Sequence, residues 1–128
     1  MYKLVVGSLL AASLTAVGQN RPPEEMEVFR AASEALANRD ADAFLDQFDQ
    51  RMSRYAELRD EIRELFGVAQ EIASTIDVIT MDGNKLELDW LLKIDNADPR
   101  RQIVKCTVEK QGKRWKITAL EPVEFFKK

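Results

Sequence analysis

The chain has 128 residues, 45% apolar and 32% charged, with a formal net charge of −3, so it is one acidic domain's worth of ordinary globular sequence. It has no histidine and a single cysteine, Cys106. That excludes Ser-His-Asp and Cys-His catalysis, histidine or Cys-cluster metal sites, and an intramolecular disulfide.

Residues 1–18 read as a secretory leader. Lys3 is followed by an uncharged run from Leu4 to Val17, too short to span a bilayer comfortably, and Ala16 and Gly18 suit a cleavage site before Gln19. The implied mature domain is 19–128, exported to a bacterial periplasm or the medium and detached from the membrane after cleavage. Losing Lys3 leaves 18 basic and 22 acidic residues. An acidic domain without a basic run is not a nucleic-acid binder.

The first helix opens at Pro22-Pro23-Glu24-Glu25 and carries Met26, Phe29, Ala32 and Leu36 on one stripe. Asn38-Arg39-Asp40 breaks it, and Asp40 is placed to cap a short second helix burying Phe44, Leu45 and Phe48. A third helix begins near Ser53. Its stripe is Leu58, Ile62, Leu65, Phe66 and Ala69.

From Ile72 the period becomes two, predicting four half-buried strands. Their inner face is Ile76, Val78, Leu88, Trp90, Leu92, Val104, Cys106, Val108, Trp115 and Ile117. A three-residue loop at Asp82-Gly83-Asn84 pairs Val78 with Leu88 and Ile76 with Trp90. In the middle hairpin Ile94 is set against Arg100, which places Asp89 opposite Lys105. A turn at Gln111-Gly112 pairs Val108 with Trp115, Cys106 with Ile117 and Val104 with Ala119. On the outer face Asp77, Asp89, Lys105 and Thr118 then align. Facing Asp77 and Asp89 would raise one carboxyl pKa, with Lys105 opposing the shift. Ile79, Leu91, Ile103 and Leu120 share this outer face and are candidates for a homodimer or protein contact.

Helices followed by an antiparallel meander give an α+β architecture: three N-terminal helices on a curved four-stranded antiparallel sheet. Residues 34–49, Glu-Ala-Leu-Ala-Asn-Arg-Asp-Ala-Asp-Ala-Phe-Leu-Asp-Gln-Phe-Asp, resemble the helix, break and second helix of the nuclear-transport-factor-2-like (SnoaL-like) cone superfamily. Gly112-Lys113-Arg114-Trp115-Lys116-Ile117 resembles its last hairpin. Leu120-Glu121-Pro122-Val123-Glu124-Phe125-Phe126 resembles its last strand and the tail after it. Gln50-Arg51-Met52-Ser53 leaves little room for the strand pair many members carry there.

The resemblance implies a cone with a mouth. It does not choose among uses, because the superfamily holds binding proteins beside enzymes such as ketosteroid isomerase, scytalone dehydratase and limonene epoxide hydrolase. No carboxylate or lysine lies on the inner face, so no catalytic residue, metal ligand or cofactor is assigned. Asp46, Asp49 and Tyr55 are the helical-side groups placed to reach the mouth. Phe44, Phe48, Tyr55, Trp90 and Trp115 form the candidate lining for a small apolar ligand. The leading expectation is a non-catalytic binding domain. The alternatives are an isomerase, dehydratase or hydrolase of the same fold, and a dimeric assembly module.

Overall fold

The computed structural model describes residues 3–5 and 24–128. Its helices are α1 (Glu27–Asn38), α2 (Ala41–Leu45) and α3 (Tyr55–Val68). Its strands are β1 (Lys3–Val5), β2 (Ile72–Asp82), β3 (Lys85–Ile94), β4 (Arg100–Gln111) and β5 (Arg114–Glu121). The sheet order is β1-β2-β3-β4-β5, every pair antiparallel. The architecture is therefore the expected α+β one, with three helices and four long strands, plus a three-residue strand at the β2 edge. Beyond residues 3–5, the leader and its cleavage position lie outside the described residues. No described helix is long and apolar enough to cross a membrane.

Local chemistry explains the helix ends. A 3-10 turn, Glu24–Met26, leads into α1. Arg39 closes α1 in the left-handed region, and its guanidinium donates to Ala69 O at 3.0 Å. Asp40 caps α2 as expected, accepting from Ala43 N–H at 3.0 Å. Phe48 lies beyond the end of α2. There it forms a parallel bridge with Ile117, made by Ile117 N–H to Gln47 O at 2.8 Å and Asp49 N–H to Ile117 O at 2.9 Å.

The inner face holds the expected residues. Ile76, Val78, Leu88, Trp90, Leu92, Val104, Cys106, Val108 and Ile117 are all buried, while Trp115 is half-buried. Each hairpin differs in one respect, the first in its turn and the other two in register. In the first hairpin Ile76–Trp90 and Val78–Leu88 pair as expected, but the turn is the two residues Gly83-Asn84, and a bulge at Ile79 absorbs the odd residue. Gly83 has φ 62°, which suits glycine in a tight turn.

The middle hairpin is shifted by two residues from expectation. Arg100 faces Leu92, Ile103 faces Asp89, and Lys105 faces Glu87. The shift keeps every residue on its face, so burial alone does not select it. It replaces the Asp89–Lys105 pairing with an opposed Glu87–Lys105 pair. It also lengthens the loop, which Asp95 stitches down by accepting from Gln70 and Glu71 N–H, each at 2.8 Å.

In the last hairpin the turn is Gly112-Lys113, so Val108 pairs with Ile117 and Lys110 with Trp115. A bulge at Thr118 then switches the alternation. Leu120 pairs with Cys106 and is buried, while Ala119 is exposed. Leu120 therefore belongs to the core and not to the outer face. The outer row is corrected with it: Asp77 does face Asp89, but Ile103 follows, and Lys105 stands opposite Glu121.

Candidate functional site

The expected aromatic residues separate into three places. Phe44, Phe48 and Trp90 are at most 2% exposed and form a ring-to-ring core. Phe44 meets Phe48 at a centroid distance of 5.1 Å and Phe126 at 5.4 Å. Trp90 meets Phe126 at 5.3 Å and Phe125 at 6.0 Å. The cone interior beside Trp90 is thus filled by the chain's own Phe125 and Phe126, which lie in a 3-10 segment, Val123–Phe126. Trp115 stands apart at the first turn, donating its indole N–H to Glu24 Oε1 at 3.1 Å. That bond, with Lys110 beside it, lowers the Glu24 pKa. Tyr55 is half-buried in a surface cleft.

That cleft, of 510 Å³, does bring Asp46, Asp49 and Tyr55 together, with Phe48, Gln111 and Lys116 in its walls. Two of its three carboxylates, Asp46 and Asp49, are structural anchors. Asp49 accepts from Arg51 N–H at 2.8 Å, from the Arg51 guanidinium and from Gln111 Nε2 at 2.8 Å. The Arg51 bonds hold its pKa well below the usual carboxylate range. Asp46 is lowered chiefly by Arg114, 2.9 Å away, with Lys116 adding to it. A carboxylate locked in its charged form by guanidinium partners is a weak general base and no acid at neutral pH.

A second cleft, of 560 Å³, opens between the two residues just before α3 and strands β2 to β5. Ser53 and Arg54 bound it on the helical side. Leu86, Cys106 and Leu120 give it a buried apolar side, and Lys85, Glu87, Lys105 and Glu121 stand around it. Burial pushes the Cys106 thiol far above its ordinary value, so it is a neutral, apolar wall and not a thiolate nucleophile.

Arg54 is the residue the sequence did not single out. It sits at φ 65°, in the left-handed region that non-glycine residues enter at a cost of about 1 kcal/mol. Its guanidinium pairs with Glu57, Nε to Oε1 at 2.9 Å, and with Glu124. These bonds lower the pKa of both glutamates and raise that of Arg54. Only the fold brings positions 54 and 124 together, so no local pattern could reveal the pair. Among the described residues no group of acids and Cys106 is arranged to hold a metal.

No protein-family model matches the sequence, and no curated protein matches it. Solved structures do match. A crystal structure of a candidate aromatic ring hydroxylase from Novosphingobium aromaticivorans aligns with a TM-score of 0.51 at 16% identity, covering 80% of this chain and 93% of that one. A designed NTF2-like protein aligns with a TM-score of 0.53 at 14% identity, covering 73% and 91%. At these identities the likeness is one of fold: the chain folds as an α+β cone of the nuclear-transport-factor-2-like kind.

Proposed function

We propose that this cone is a non-catalytic binding domain, exported after loss of residues 1–18, which takes a small apolar or amphipathic molecule in the cleft under Arg54. The supporting observation is the chemistry of that cleft. A 560 Å³ volume is ligand-sized, and Leu86, Leu120 and the neutral thiol of Cys106 give it an apolar wall. Against an enzyme stands the state of the acids: Asp46 and Asp49 are arginine-paired in the other cleft. Native mass spectrometry of the protein taken directly from the culture tests this reading. A retained small-molecule adduct on a chain beginning at Gln19 is the expected result. A chain with residues 1–18 still attached would sink export, and a clean unliganded species would sink ligand binding.

A specific surface favours a second reading, a homodimer. Leu91 is 37% and Ile103 46% exposed on the outer sheet face, while Ile79 is half-buried at the β2 bulge and Leu120 is withdrawn into the core. Leu91 faces Arg101 and Ile103 faces Asp89, so apolar and charged residues alternate in a square that a two-fold axis can match to itself. Sedimentation should show a dimer that Leu91→Asp converts to monomer. An unchanging monomer across micromolar concentrations excludes it.

A further inference from the structure

The segment Val123–Phe126 lies between α3 and the sheet, touching α3 and β5 along its backbone and Trp90 and Phe44 through its rings. Its backbone hydrogen bonds are local: Phe125 N–H to Pro122 O at 3.2 Å and Lys127 N–H to Glu124 O at 3.0 Å. Side chains fix it to the rest. Glu124 is gripped by Arg54, and the Arg100 guanidinium donates to Phe125 O at 2.9 Å and to Lys127 O. Its departure would break no rung of the sheet but would expose Val123, Phe125 and Phe126, each now at most 4% exposed. Its latch, Arg54, also borders the 560 Å³ cleft, and Leu120 and Glu121 run from that cleft directly into the segment. The left-handed backbone of Arg54 places the strained residue of this region at the junction of cleft and interior.

We propose that Val123–Phe126 is an exchangeable occupant of the cone interior, latched by Arg54, and that the ligand which replaces it is an aromatic carboxylate. The segment itself is the template. It offers a carboxylate to Arg54 and two rings to Trp90 and Phe44. A molecule carrying an acid group on a fused ring system replaces those contacts in kind, with the guanidinium taking the new carboxylate and the rings stacking edge-to-face in the vacated space. The idea rests on the binding reading above and extends the site from the cleft under Arg54 to the interior.

The test uses the full chain, 2-naphthoate as probe, and amide hydrogen exchange. The Phe125 and Lys127 amides should exchange at least tenfold faster than those of Leu88 and Trp90 in β3. Glu124→Gln, a surface change, should speed them further and tighten 2-naphthoate binding about tenfold, by freeing Arg54. Phe126→Ala should bind the probe without that help. Methyl 2-naphthoate, which lacks the charge, should bind more weakly than the acid. Exchange of Phe125 and Lys127 in step with β3, in both the native chain and Glu124→Gln, would overturn the proposal. So would 2-naphthoate that binds and perturbs only Leu86 and Cys106, an outcome that leaves the cleft under Arg54 intact as a site. Failure of the native chain and of Phe126→Ala alike to bind 2-naphthoate would also overturn it, while the cleft reading is judged separately by the retained adduct.

Discussion

Trp90 donates its indole N–H to Ser74 Oγ at 2.8 Å, with both residues buried. Ser74 Oγ lies 3.1 Å from Ser33 Oγ, so one polar chain joins β3, β2 and α1 through the core. A buried indole N–H left unpaired costs about 1–3 kcal/mol. Ser74→Ala should therefore lose about that much stability. Ser33→Ala should lose less, because Trp90 keeps its acceptor. Urea unfolding of the two variants checks the order; an equal loss in both would mean the serine pair and not the indole carries the energy.

Asp95 holds the β3–β4 loop in two ways. It accepts from two backbone N–H groups at 2.8 Å and adopts φ 51°. Asp95→Ala removes the acceptor and places a residue poorly suited to that conformation, so a loss of about 2 kcal/mol is expected. Asp95→Asn keeps an acceptor oxygen and tolerates the left-handed region, and should recover more than half of it. Thermal and urea denaturation read both.

Glu61 and Glu124 respond to pH with opposite signs. Burial raises the Glu61 pKa, with Glu57 and Glu124 adding to it, and its Oε1 is buried without a partner. A raised acid destabilises the fold at neutral pH and is relieved as pH falls through the raised value. Glu124 is lowered by Arg54, so its stabilisation is complete above the ordinary glutamate value of 4.5 and fades as pH falls through its lower folded value. Glu61→Gln should thus raise the Tm at pH 7 and give no gain below about pH 4. Glu124→Gln should lower the Tm at pH 7 and converge with the native chain in acid. A pH series of melting curves separates the two.

Cys106 should be inert in the folded protein. It is 3% exposed, and burial raises its thiol pKa. At pH 8 a disulfide reagent such as dithionitrobenzoate should modify it only at the rate of unfolding, and full reaction should appear in denaturant. Rapid labelling of the native chain would show that the cleft under Arg54 opens down to the thiol.

On the outer face Asp77 stands opposite Asp89, and Arg101 grips Asp89 with Nε to Oδ1 at 3.0 Å. Arg101 lowers the Asp89 pKa, where facing carboxylates alone would have raised one. Asp77→Asn should leave stability unchanged or slightly higher. Arg101→Gln should lower it, and the loss should disappear when Asp77→Asn is added. A loss that persists in the double variant would show that Arg101 acts by packing and not by charge.

The registers show where the sequence stops being sufficient. Alternation along each strand assigned Ile76, Leu88, Trp90, Val104 and Val108 to the buried face, because a side chain's face follows from its position modulo two. A two-residue slip preserves that assignment, so pattern alone did not fix the middle hairpin. Bulges are harder still. Those at Ile79 and Thr118 change the count on one strand, and the second moves Leu120 from the outer face to the core.

The candidate site divides along the same line. The helix stripes, the Asp40 cap, the α+β class and the apolar inner face were written into the sequence by itself, because each depends on residues a few positions apart. The filling of the interior by Phe125 and Phe126, the Arg54–Glu124 ion pair and the Asp89–Arg101 pair were decided only by the tertiary structure. Positions 54 and 124 are 70 residues apart, and no local periodicity couples them. What occupies the space beside Trp90 depends on how a whole sheet bends and where the segment after it returns, which is a property of packing and not of pattern.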